Sequence, residues 1–195
     1  MASMLLGERV PENGSVLVLG AGGGLEMKAL GEAHQAWRFD GVDPSAEMLA
    51  LAREVVGPDE ARFGLHHGYI SDAPQGPYDG AICLLTFHFI AREQRLETLR
   101  HLRERLRPGA PLVLAHISFS QDEPLRSQWI ARHAGYPQGV TASGAVLENA
   151  LEAMGSRLAI LPPEEEEAML AEAGFGEVTL FYTALSFRGW VAYAA

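Results

Sequence analysis

The chain has one cysteine, Cys83, in 195 residues. It can therefore form neither an internal disulfide nor, from thiolates alone, a zinc site. Cys83 sits in the apolar run Ala81-Ile82-Cys83-Leu84-Leu85 and reads as a buried core thiol. No apolar run approaches the roughly 20 residues needed to span a bilayer. The opening MASMLLGERVPENG lacks a basic stretch followed by a sustained apolar one, so a cytoplasmic protein with no membrane partner is expected. Positive charge is scarce: 15 Lys and Arg stand against 25 Asp and Glu, a net charge of −10. Phosphate backbones require clustered Lys and Arg, so DNA is not expected as a partner and RNA is disfavoured. No His-x-x-x-His pair and no Cys/His cluster occurs, and no metal site is expected.

What is present suits a folded chain. Hydrophobic residues make up 48% and charged residues 21%, which rules out a largely disordered protein. No internal repeat and no linker divides it, so residues 1–195 read as one domain. Val16-Leu17-Val18-Leu19 has the continuous apolar character of a strand buried on both faces. A glycine turn follows, then a helix over Leu25 to His34 with Leu25, Ala29 and Leu30 on its inner side. A second strand is expected over Ala36 to Val42, ending in Asp43, and Pro44 opens a helix that Gly57-Pro58 stops. Further strands are expected at Arg62 to Tyr69, Ala81 to Leu85 and Leu112 to His116. The Leu96, Leu99, Leu102 and Leu106 spacing predicts an amphipathic helix over Arg92 to Arg107. Residues 119–172 read as a helical, substrate-facing insertion whose Glu164 to Glu167 run is a solvated first turn. Val178 to Phe187 and Trp190 to Ala194 form two last strands joined at Arg188-Gly189. Alternating strands and helices imply an α/β, Rossmann-like three-layer sandwich, mostly parallel and closed by an antiparallel C-terminal hairpin.

In such sheets ligands bind beyond the carboxyl ends of the strands, at the switch point. Gly20, Gly22 and Gly24 form G-x-G-x-G at the exit of the first strand. Glycine permits a tight turn and close approach of a ligand, and the next helix offers free N–H groups. A dinucleotide fingerprint needs a third small residue where Leu25 stands. Asp43 can accept both hydroxyls of a ribose, which NAD and S-adenosylmethionine (SAM) share. The glycine spacing tips the choice to SAM, with a nicotinamide domain as the outsider.

Here the chain resembles the class I SAM-dependent methyltransferases, through Val16 to Gly24, Gly41 to Leu49, Tyr78 to Cys83 and Leu106 to Leu114. The resemblance implies a seven-stranded sheet with one reversed strand. It implies SAM as cofactor, and S-adenosylhomocysteine as product. It would set Gly20, Ala21, Gly22 and Gly24 against the methionyl part, and Asp43 and Pro44 at the ribose. Met48, Gly68, Tyr69 and Ile70 would lie about the adenine, and Leu84 and Leu85 under the sulfonium. A looser similarity links Leu85 to Ile90, Val146 to Asn149, Ala173 to Phe175 and Phe181 to Phe187 to the carboxy-SAM synthases, which prepare a carboxymethyl donor for wobble-uridine modification of tRNA. Val18 and Tyr69 stand where the wider family usually has acidic residues. Ala168 to Glu172 has no counterpart of the arginine with which the synthases hold the donor's carboxylate.

Methyl transfer needs in-line placement of the acceptor, and a base only if that acceptor must lose a proton. His88 and His116 fall at the carboxyl ends of the fourth and fifth strands, and Tyr182 in the penultimate one; these are the catalytic candidates. The expected activity is methyl transfer to a small molecule. The alternatives are a carboxy-SAM synthase-like enzyme of tRNA modification and a non-catalytic SAM-binding subunit. A homodimer is left open.

Overall fold

A computed structural model of the chain describes residues 1–59 and 61–195. Seven strands form one sheet: β1 (Ser15–Leu19), β2 (Arg38–Asp43), β3 (Phe63–His67), β4 (Gly80–Leu84), β5 (Pro111–Ile117), β6 (Phe175–Ala184) and β7 (Phe187–Ala194). Their order is β3-β2-β1-β4-β5-β7-β6, and β7 alone runs against its neighbours β5 and β6. The chain leaves β1 toward β2 on one side and later returns to β4 on the other. The gap between the ends of β1 and β4 is therefore the switch point. Val16 to Leu19 are buried on alternate faces, with Leu17 and Leu19 in one core and Val16 and Val18 in the other.

The helices are α1 (Ala2–Gly7), α2 (Leu25–Ala33), α3 (Ala46–Val56), α4 (Arg92–Glu104), α5 (Leu125–Gly135), α6 (Gly144–Arg157) and α7 (Pro163–Glu172). The short α1 carries no capping or periodic signal, and its Leu6 is buried against the sheet. In α2 the inner face is Met27, Leu30 and Gly31, not the expected Leu25 and Ala29; Leu25 is 74% exposed. The left-handed Gly24 cap sets the phase of that helix, and Gly31 lets the Phe63 ring approach where a Cβ would meet it at 2.6 Å. Helices α5 and α6 pack on each other beyond the end of β5, around a small separate core of Ile117, Phe119, Ile130, Met154 and Ile160.

Two expectations are corrected. The last hairpin turns at Leu185-Ser186, not at Arg188-Gly189, which lie inside β7. Ser186 fixes it there: its carbonyl accepts from the Ser118 N–H, and its Oγ bonds the His133 Nδ1 at 2.6 Å. The glutamate run opens α7 as expected, with Glu164 and Glu167 exposed, but it is not solvated throughout. Glu166 is 1% exposed and bonds both the Arg95 guanidinium and, at 2.8 Å, His116 Nε2. Glu167 accepts from the buried Trp190 indole at 3.0 Å. Arg95 itself is fully buried, also donating to the carbonyls of Ile90 and Ala159. Burial alone would raise the Glu166 carboxyl, but hydrogen bonds and charge from His116 and Arg95 outweigh it and hold it below its ordinary range.

This cluster joins α4, β5 and α7, and breaking it leaves a buried charge unpaired. Glu166→Ala should therefore destabilise the protein by about 3–5 kcal/mol in urea titration. Arg92→Ala, which removes the largely exposed pair with Glu165, should cost less than about 1 kcal/mol.

Candidate functional site

The turn after β1 leaves almost no room for side chains. Gly20, with φ +77°, lies where a Cβ would sit 2.0 Å from Thr86 Oγ1. Gly24, with φ +78°, meets the Ala52 Cα of α3 at 2.9 Å from its virtual Cβ. These two are packed shut. Gly22 also has positive φ, +49°, but nothing comes within 3.9 Å of its virtual Cβ. Its missing side chain leaves an open cradle, rimmed by the half-exposed Met48 through its Cε.

Asp43 ends β2 beside that cradle. Its Oδ2 accepts from the Gly22 N–H and its Oδ1 from the Ser45 N–H, both at 2.9 Å. Ser45 in turn caps α3, its Oγ accepting from the Met48 N–H. The carboxylate is held by two backbone donors, and the rest of its roughly four lone-pair sites stay free for two neighbouring hydroxyls. Pro44 is exposed and its carbonyl bonds the His67 ring. Ala21 is buried in the core, so only its backbone is at hand.

Across β2, Gly68 has φ +145° and lies against the Asp72 carboxyl, which accepts from the Tyr69 N–H at 2.9 Å. Asp72 thus folds back onto this turn, and Tyr69 presents a 69% exposed ring beside it. Ile70, expected at the adenine rim, is instead 5% exposed and packs with Leu19 and Val42. The apolar side chain gains more inside that core than at a wet rim. Past β4, Leu84 is half-buried, whereas Leu85 is 56% exposed with φ +56°. A branched residue in this conformation stores strain of order 1–3 kcal/mol. The pairing of its N–H with the Ala115 carbonyl holds it there.

The three catalytic candidates are not gathered at this cradle. His116 is fully buried between Phe87 and Trp190, with its Nε2 on Glu166. It is an inner strut rather than a rim group. His88 is nearly buried, and burial, followed by the charges of His116, Arg95 and His133, pushes its imidazole down to about 4, against a smaller upward pull from Glu166. A base that weak holds a proton poorly at neutral pH. Tyr182 lies on the edge strand β6, with β7 and β5 between it and β4. At about 4.8 Å per strand this sets it well to one side of the switch point.

One site residue was not legible in the sequence. Glu26, in the first turn of α2, reads there as a favourable partner for the helix dipole. In the structure its Oε1 is buried without a hydrogen-bond partner, although part of the residue keeps solvent contact. Its charge bears on the Cys83 thiol of β4, a thiol that also bonds Thr86. Glu26 follows directly on the glycine turn that leaves β1, so it belongs to that end of the sheet. Burial raises its carboxyl to about 8, and no cation offsets that rise.

A sequence model described as a methyltransferase domain matches residues 17–112. The chain is 28% identical over 155 residues to the carboxy-S-adenosyl-L-methionine synthase of Wolinella succinogenes, covering 80% of this chain and 65% of that protein. It is 26% identical over 160 residues to the synthase of the same name from Chromohalobacter salexigens, covering 81% of this chain and 59% of that one. The chain thus spans less than two thirds of the length of these curated relatives. Among solved structures, human N-acetylserotonin methyltransferase in complex with SAM superposes with a TM-score of 0.68 at 14% identity, over 100% of this chain and 52% of that one. No helix among the described residues is long and apolar enough to cross a membrane.

Gly20→Ala combines a left-handed backbone with a clash and should cost more than about 2 kcal/mol in urea titration. Gly22→Ala meets no atom and should cost only about 1 kcal/mol. For Glu26 the sign follows from its raised value. Between its ordinary 4.5 and about 8, the folded form keeps a proton that the unfolded chain has lost, so stability falls as pH rises through that window. Glu26→Gln lacks this loss, so its melting temperature should draw progressively above the parent's from pH 5 to pH 8. Parallel curves would refute the buried, unpaired carboxyl.

Proposed function

We propose that this chain, which carries a class I methyltransferase domain with SAM as its cofactor, transfers the SAM methyl group to a small-molecule acceptor. The observation that carries the reading is the open cradle at Gly22 set directly against the fixed carboxylate of Asp43. A nucleoside ribose needs a paired acceptor of this kind, and an adjoining amino-acid tail needs backbone approached without a Cβ. The residues fit the cofactor on those two counts. SAM supplies, when bound, a methyl group already activated on a sulfonium.

The protein's part is placement. Asp43 orients the ribose, Met48 and Tyr69 offer apolar surface to the base, and the exposed Leu85 fills the floor beneath the reacting end. Helices α5 and α6, within the 119–172 segment, stand beyond β5 and cover the acceptor side. His88 is nearly buried and its Nδ1 already accepts from the Ile117 N–H, so it is no base for the acceptor, and the acceptors favoured are those that need no difficult deprotonation.

A second reading rests on the relatives named carboxy-SAM synthase. In its favour stand the Phe181 to Phe187 segment and the Ala173 to Phe175 joint. Against it, Ala168 to Glu172 supplies no arginine, and Arg95, which is near, is already bound to Glu166. Mass analysis of nucleosides extracted from the purified protein after incubation with SAM separates the two: S-adenosylhomocysteine supports methyl transfer, carboxy-SAM the second reading.

Asp43→Ala should weaken SAM and S-adenosylhomocysteine at least about tenfold in calorimetry, the loss of about two hydrogen bonds to a carboxylate. Unchanged nucleoside affinity would refute the ribose assignment.

A further inference from the structure

Glu26 sits just past the glycine turn, and its buried Oε1 has no hydrogen-bond partner among the described residues. A buried acid is ordinarily paired, hydrogen-bonded or bound to a cation. The polar groups at this end of the sheet are already committed. The Cys83 thiol of β4 is itself pushed far up by burial and stays neutral. Arg95 of α4 bears on that thiol but is held by Glu166 and two carbonyls. Asp43 of β2 is an acid, committed to the Gly22 and Ser45 N–H groups. Thr86 gives its hydroxyl proton to the Leu84 carbonyl. Glu26 also sits in the first turn of α2, just after the Gly24 cap that ends the glycine turn.

Resting on the SAM reading above, we propose that Glu26 is the anion that receives the α-ammonium of the cofactor's methionyl tail. SAM carries two cations, the ammonium and the sulfonium. A nucleoside whose ribose is on Asp43 extends its tail over the cradle toward the first turn of α2, where Glu26 lies. The ammonium brings three N–H donors to a carboxyl that has none, and the pair forms where water is largely excluded. Glu26 is thus half of an ion pair whose other half arrives with the ligand. Free, it is mostly protonated at pH 7; when the ammonium binds, the proton leaves for solvent, and charge is conserved.

The test is calorimetry at pH 7 with three ligands: SAM, S-adenosylhomocysteine, which keeps the ammonium but lacks the sulfonium, and 5′-methylthioadenosine, which lacks the amino-acid tail. Glu26→Gln should weaken SAM and S-adenosylhomocysteine by about tenfold or more, the scale of a charge-assisted bond. It should leave methylthioadenosine within about twofold. Heats measured in two buffers of different ionisation enthalpy should show close to one proton released per S-adenosylhomocysteine bound by the parent, and none by Glu26→Gln. Weakening of SAM alone would place Glu26 at the sulfonium and overturn the assignment. So would parental affinity and proton release in Glu26→Gln. Asp43→Ala separates the two levels of inference: if it weakens all three ligands while Glu26→Gln weakens none, the SAM site stands and the Glu26 assignment falls. Absence of binding for all three in the parent removes both.

Discussion

The turn after β1 is so crowded that only glycine fits two of its positions. Thr86 presses on Gly20 from the β4 side, and Ala52 presses on Gly24 from α3. These contacts fix where α2 begins, and so where Glu26 points. They also draw β2 and its terminal Asp43 close enough for the Gly22 N–H to reach the carboxylate. The open space at Gly22 exists because its neighbours on either side are closed. A side chain at Gly20 would push β4 and its strained Leu85 away, and the cradle and its floor would separate.

The far half of the edge is organised by charge instead of by close packing. Arg95, Glu166 and His116 form an inner knot that ties α4 and α7 across β5. It takes up the histidine and the arginine that a catalytic reading of the rim would most want free. The large side chains left exposed past β4 are apolar, Leu85 and Phe89. The proposed transfer would rest on bringing two molecules together in line more than on acid or base help.

The architecture was legible because its signals are local and redundant. Each inner strand is a short apolar run between turn residues, and Pro44, Ser45 and Gly57 punctuate α3 as its caps require. Gly20, Gly22, Gly24 and Asp43 were legible for the same reason. What escaped was anything decided by distant packing. Four consecutive glutamates read as solvated, yet Glu166 is drawn inward by an arginine 71 residues away in sequence. Glu26 looks like a dipole partner until α2 acquires its phase from the Gly24 cap. His116 falls at the right strand end, but its side chain projects to the inner face, which alternation alone does not assign to a core or a rim. The hairpin was misplaced by a few residues because Ser186, a weak turn signal, is anchored by Ser118 and His133 from other elements.

The separate small core beneath α5 and α6 has an energetic corollary. The two sheet cores interlock through β1, β4 and β5, so neither can be exposed without melting the whole. The five residues under α5 and α6 meet the sheet only at its margin. A pair of helices packed in this way is expected to open as a subglobular unit at a lower free energy than the whole. Amide protons in α5 and α6 exchange through partial opening, while those of β1 and β4 wait for complete unfolding. The cradle would then stay fixed while the two helices beside it open.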